Sequence, residues 1–375
     1  MKKFVSAFAA VLAAASLMSV AGCAKSTASL KVATTANWNA STSAVVERNF
    51  TEFWQSNAEV AEYAVSFTEG TNSRYFVSYD TDKSIFSTRI SMEKYDWSAA
   101  GIPEDYRAEA NDFVYVYEEN LALSGKYTIK SSGEEYAFDD VLTTVCKFRL
   151  AGDNLAPVYS KVTVKNSAPS SLGSNVLADV HIESDETEES FYSRDLSKVK
   201  ISTDDRIDAK KSGEQELALK NKQKYSIFDS AQLRAAVRAF TMTEKSSRLF
   251  NVVSTKDKVM SSITAAVSAP AQLNKEDEKQ KAIADAMANC ADKDYIFFDG
   301  TPSGDEEAKG LRYSSVTLSL NADMNGQSPV YWYSTVENND LNGTRGVLLR
   351  MVTPLPFIMG TLDYTLKSVG LEKTK

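Results

Sequence analysis

From about residue 59 onward the chain alternates apolar and polar positions with a period of two, the mark of half-buried antiparallel strands. Ala61, Tyr63, Val65 and Phe67 open the series, and Gly70-Thr71-Asn72-Ser73 supplies turn residues before Tyr75, Val77 and Tyr79. Phe113, Tyr115 and Tyr117 form a further run. The clearest sets Leu142, Thr144, Cys146, Phe148 and Leu150 against Thr143, Lys147 and Arg149. Val158–Val164 and Val176–Ile182 continue the pattern, and it returns at Arg312–Leu320, Val330–Thr335, Val347–Val352 and Thr361–Leu366. Ser131-Ser132-Gly133 and Ala151-Gly152-Asp153-Asn154 are short, turn-forming connections, so most neighbouring strands should pair as antiparallel hairpins. Parallel strands would need a crossover between them, and no βαβ unit is evident.

Helical spacing is confined to three places. Val45, Val46, Phe50, Phe53 and Trp54 share a face if Ser43–Ala58 is helical. Asp229 or Ser230 can cap Ala231–Phe240, where Leu233, Ala236, Val237 and Phe240 recur at helical intervals. Lys275–Cys290 opens acidic and aligns Ile283, Ala286, Met287 and Cys290. The pattern predicts an α+β, β-dominated protein with large antiparallel sheets, half-barrel or sandwich-like, and a few packed helices. A charged, apolar-poor stretch from Glu183 to Lys222 is the expected boundary between a β-rich half, 44–200, and an α+β half, 201–375.

The start of the chain reads differently. Lys2 and Lys3 precede the apolar stretch Phe4–Val20, which ends in Val20-Ala21-Gly22-Cys23. Charge, apolar run and small residues in that order make a secretory leader. The ending resembles the lipobox of bacterial lipoproteins, which implies cleavage of residues 1–22 and acylation of Cys23 with chains of the palmitate kind. Two acyl chains suffice for stable anchoring, at about 0.8 kcal/mol per buried methylene. Residues 23–43, rich in Ser, Thr, Ala and Asn, read as a flexible tether. No later stretch approaches the ~20 apolar residues of a membrane-crossing helix. The expected location is extracytoplasmic, on the outer face of a cell membrane or, since Ala24 is not Asp, on an outer membrane.

Composition narrows the chemistry. The 42 Lys and Arg against 50 Asp and Glu give a formal charge of −8, and loss of Lys2 and Lys3 leaves the mature chain more acidic still. Nucleic acid, which is bound through basic stripes, is not an expected partner. His181 is the single imidazole and sits on the strand face that carries Asp179 and Glu183, so a surface role is expected. Cys146 and Cys290 both fall on apolar faces and read as buried thiols rather than a disulfide pair. Asn321-Ala322-Asp323-Met324-Asn325-Gly326 resembles the opening of a calcium loop, but Trp332 stands where that loop needs a bidentate Glu, so a hairpin turn is expected. The acidic runs Glu183–Glu189 and Asp299–Glu307 read as solvated loops. No metal site, cofactor or catalytic constellation is expected.

Tyr115, Tyr117, Tyr331, Trp332 and Tyr333 suit either a groove for sugar or peptide or ordinary cross-strand packing. Long alternating strands behind a lipobox resemble the lipid- and lipoprotein-carrier half-barrels of bacterial envelopes. That resemblance is one of general pattern. It implies a hydrophobic ligand in a cavity lined by one face of strands such as Leu142–Leu150. The expected function is therefore a membrane-anchored, non-enzymatic binding protein. The alternatives are a surface adhesin or envelope-assembly component that binds protein or glycan, a transporter-associated binding protein, and an envelope hydrolase that uses carboxylates.

Overall fold

A computed structural model describes residues 56–374 apart from 71–74, 96–103, 107–112, 152–153, 167–168, 171–179, 182–183, 222–225, 239–244, 293–311, 321–327, 336–345 and 355–359. In chain order its strands begin with β1 (Asn57–Glu69), β2 (Tyr75–Tyr79), β3 (Ile85–Lys94), β4 (Phe113–Ile129), β5 (Glu135–Ala151) and β6 (Asn154–Asn166). The short pair β7 (Pro169–Ser170) and β8 (Val180–His181) forms a small sheet of its own. Then come β9 (Ser184–Tyr192), β10 (Lys198–Asp205), β11 (Gly213–Ala218) and β12 (Ile227–Asp229). A 3-10 turn (Ser230–Gln232) and helix α1 (Leu233–Val237) lead to β13 (Ser246–Ser254), β14 (Val259–Val267) and β15 (Ala271–Gln272). Helix α2 (Glu278–Ala288) precedes β16 (Arg312–Leu320), β17 (Val330–Thr335), β18 (Leu348–Pro354) and β19 (Gly360–Lys373).

Seventeen strands join in one sheet. The ladder runs from β11 through β10, β9, β6, β5, β4, β3, β1 and β19. It continues through β18, β17, β16, β14 and β13 to β12. Every pair is antiparallel except β12 with β13, which run parallel over three residues on either side of the 3-10 turn and α1. That one crossover is the exception to the antiparallel pairing expected for most neighbours. The β-dominated class holds, and strands β16 and β17 fall on the residues their periodicity marks.

Other expectations change. Asn57 and Ala58 are strand, not helix, and the rest of the expected helix from Ser43 lies outside the described residues apart from Ser56. The charged stretch from Glu183 to Lys222 is mostly strand: β9, β10 and β11 extend the sheet beyond β6, and the ladder runs through it. Its acidic run is β9 rather than a solvated loop. The helix expected over Ala231–Phe240 is shorter, and the 3-10 turn that leads into it is capped by Asp229, whose carboxylate accepts from the Ala231 N–H at 2.7 Å. Asp277 caps α2 in the same way, accepting from the Gln280 N–H at 2.9 Å.

The two faces of the sheet are set by the alternation. Along β5, Phe138, Asp140, Leu142, Thr144, Cys146 and Phe148 are buried, while Val141 and Asp139 between them are exposed. Helix α2 lies on the other side of β19 from Leu362, Tyr364 and Leu366, for Lys279 meets both Asp363 and Ser66. It covers part of the outer face. The inner face carries the main core, including Tyr63, Phe86, Tyr115, Tyr127, Phe148, Tyr331, Tyr333 and Tyr364.

Candidate functional site

The inner face is occupied by the chain itself. Every residue from Asp229 to Arg238 is buried except the half-buried Ser230, though the segment contains two arginines. Arg234 forks onto both carboxylate oxygens of Glu119 on β4, and Tyr117 donates to the same carboxylate at 2.5 Å. Arg238 forks onto Glu59 of β1 at 2.8 and 3.0 Å. Tyr333 of β17 donates to the Arg234 carbonyl at 2.9 Å, and the Gln232 amide donates to the Leu155 carbonyl at 3.1 Å. Ser160 of β6 and Tyr192 of β9 both donate to Asp229 Oδ2, at 2.8 and 2.5 Å. One short segment can meet β1, β4, β6, β9 and β17 only if the sheet curls around it. Gly346 confirms how tightly: its φ is +61°, and a Cβ there would stand 2.9 Å from the Arg238 carbonyl oxygen.

Burying an ion pair costs several kcal/mol of desolvation per ion, which only good geometry and further hydrogen bonds offset. The bidentate forks, the Tyr117 hydroxyl and the Phe86 ring 5.9 Å from the Arg234 guanidinium carbon supply that compensation. The arrangement holds a segment in place.

Beside this aromatic interior runs a band of buried polar residues. Glu119, Thr144, Val162, Glu188 and Thr203 are successive cross-strand partners on β4, β5, β6, β9 and β10. One step along, Cys146, Ser160 and Ser190 form a second such row. Among the described residues, Thr144 Oγ1, Ser190 Oγ and Thr203 Oγ1 are buried with no protein hydrogen-bond partner. Where the band meets the β13–β14 hairpin, Thr255 Oγ1 donates to Glu188 at 3.4 Å and Lys256 donates to Glu186 at 2.7 Å. Burial pushes the Glu188 carboxyl up to about 7, against the pull of Lys256. Burial likewise raises the Cys146 thiol well above its ordinary value, with Asp229 and Glu119 adding to the effect. Such a thiol is a poor nucleophile.

The outer face offers a different surface. Ala64, Ile85, Ala122 and Val141 are successive partners across β1, β3, β4 and β5. Ile85 and Val141 are 37% and 42% exposed, so the row is an apolar stripe open to solvent. Ser87, Asn120 and Thr143 form the neighbouring row, and the Arg89–Glu118 pair at 3.0 Å lies beyond it. The row thus has an apolar centre bordered by hydroxyl, amide and paired charge.

The residues singled out from sequence fare unevenly. Tyr115, Tyr117, Tyr331 and Tyr333 point inward and are core, not the lining of an open groove. Trp332 points outward, but Tyr313 stacks on it at 4.1 Å and the Arg350 guanidinium lies 4.7 Å from its ring. No face of that indole is left for a sugar. Cys146 and Cys290 are buried thiols that are not joined to each other. His181 lies on β8 opposite Pro169, away from the main sheet's ladder. Cys23, the Asn321–Gly326 loop and the Asp299–Glu307 run lie outside the described residues. Among the described residues no group of three His, Cys, Asp or Glu is placed to hold a metal, and no helix is long and apolar enough to cross a membrane. Sequence reasoning missed the inward arginines and the outer apolar row. The row's one local signal was Val141, an apolar residue on the polar face of β5.

These features define a β-dominated protein: one large, mostly antiparallel sheet curled around a buried segment of its own chain. No family model and no curated protein matches it. Among solved structures it is similar to a beta-barrel-like protein of domain of unknown function DUF1849 from Brucella abortus, at 8% identity and a TM-score of 0.42 over 85% of this chain and 98% of that one.

Proposed function

We propose that this chain is a lipid-anchored protein of the bacterial envelope that works by binding a protein partner on the outer face of its sheet. The observation that carries the reading is the contrast between the two faces. The inner face is filled by Asp229–Arg238, tied to five strands, whereas the outer face leaves the Ala64–Ile85–Ala122–Val141 row exposed. A protein partner fits better than a glycan, because sugar recognition favours open aromatic faces and the aromatic residues beside this row point inward. The anchor supplies location, through acyl chains on Cys23, and the sheet supplies recognition.

The first test is native mass spectrometry of residues 24–375, followed by solvent extraction. The expected result is an unmodified mass with no extractable lipid. Discrete lipid adducts would replace this reading with the carrier-like one, in which Asp229–Arg238 must leave the interior to admit an acyl chain. In cells, photo-crosslinking from position 141 should yield a discrete protein adduct that is lost in Ile85→Lys. An adduct pattern no different from that at exposed Lys126 would sink the assignment of the surface. Cys23→Ser should release the protein from the membrane fraction.

A further inference from the structure

We propose that the junction between the β13–β14 hairpin and the inner faces of β9 and β10 is a latch, and that ionisation of Glu188 loosens it. The inference is independent of the partner-binding reading and rests on how this junction is built.

The β9–β10 and β12–β14 parts of the sheet meet here across both apolar and polar contacts. The apolar part of the closure gathers Tyr192, Val199, Ile201, Leu219, Ile227 and Val253. Next to it the turn of the hairpin sets Thr255 and Lys256 against Glu188 and Glu186. Glu188 is 8% exposed, and among the described residues the one hydrogen bond it accepts across the junction is the long one from Thr255. Its cross-strand neighbour Thr203 and its strand neighbour Ser190 share the same face, yet neither hydroxyl finds a protein partner. A buried carboxylate needs two or three good donors to remain charged at low cost. This one has far less.

The charges around it do not make up the difference. From the hairpin come Lys256, already matched to Glu186, and Lys258. From β9 itself comes Glu186, which repels. From β10, beyond Thr203, comes Asp205, whose carboxylate accepts from the Ile207 and Asp208 N–H groups and stands 3.6 Å from Lys211. From β6 comes only Val162. Burial therefore dominates, and it raises the carboxyl from 4.5 to about 7.

The direction of the linkage follows. A carboxyl that holds its proton more tightly when closed stabilises the closed junction in acid. That advantage is lost as the pH rises from 4.5 through about 7. If the opened junction returns Glu188 to its ordinary value, the opening constant grows about tenfold between pH 6 and pH 8.5. Opening would lift the hairpin tip from β9 and bring solvent to the Thr144–Ser190–Thr203 band.

Hydrogen–deuterium exchange on the purified protein at pH 6 and pH 8.5, corrected for intrinsic chemistry, reads this directly. Peptides spanning 184–192 and 254–259 should exchange about tenfold faster at the higher pH, while peptides from β4 and β5 hold steady. In Glu188→Gln the two junction peptides should show no pH dependence. Equal corrected rates at both pH values in the unaltered protein would overturn the latch, and this arm needs no variant to fold. So would an undiminished pH response in Glu188→Gln.

Discussion

Two buried regions of this protein treat charge in opposite ways. Around Asp229–Arg238, each arginine meets a carboxylate through two donors, with Tyr117 and Phe86 completing the surroundings of Arg234. At the β9–hairpin junction, Glu188 has one long bond from a hydroxyl, and the hydroxyls beside it have no partner. The two regions are joined through one strand, since β9 contributes Tyr192 to the first and Glu188 to the second. The difference teaches where the molecule is committed and where it can move. Fully matched polar groups fix a unique arrangement, whereas partly matched ones form the weakest point of a closed structure.

Removing one half of a matched pair should have the largest effect. Arg234→Met should destabilise the protein by about 3–5 kcal/mol, because it strands the Glu119 carboxylate in the core. Chemical denaturation checks this. The double variant Arg234→Met with Glu119→Leu should recover most of the loss. If the single and double variants fall equally, the pair is not what holds the segment.

At the junction the same experiment should change sign. Glu188→Gln should stabilise the protein by roughly 2–3 kcal/mol at pH 8.5, with the gain shrinking as the pH falls through about 7 and vanishing near 4.5. Unfolding curves collected across that range test both the size and the direction. A variant less stable than the parent at pH 8.5 would mean that Glu188 is as well matched as Glu119.

The smallest effect belongs to the outer face. Val141→Lys should alter stability by no more than about 0.5 kcal/mol, since the side chain is exposed. It should nonetheless abolish partner capture in cells. Stability loss on the scale of Arg234→Met would show that the row is structural rather than a contact surface.

Much of the sheet was legible because alternation is local. The β5 pattern that sets Leu142, Thr144, Cys146 and Phe148 on one face is the pattern observed, and Arg312–Leu320 and Val330–Thr335 match to the residue. Alternation failed where charges point inward. Glu186 and Glu188 stand on the buried side of β9, so that strand read as a charged loop. The interior was illegible for a different reason. The spacing of Leu233, Ala236 and Val237 marked a helix, but nothing local shows that Arg234 and Arg238 are buried too. Their partners are 115 and 179 residues away in the chain. The aromatic residues were ambiguous by type, and only the strand direction shows that Tyr331 and Tyr333 face inward while Trp332 does not. The outer row takes one residue from each of four strands, so it exists only once register is known.

The pairing of β1 with β19 sets the order in which the structure can be completed. Asn57 lies opposite Lys373 and Glu69 opposite Gly360, so β1, the first described strand, takes one neighbour from β19, the last described strand. During synthesis, β1 keeps one edge unpaired until residues 360–373 have emerged. Contacts between such distant segments also make closure slow. A chain cut short before Gly360 would carry two exposed edges, on β1 and on β18, each a template for joining other chains. Closure of the sheet between β1 and β18 thus waits on residues 360–373.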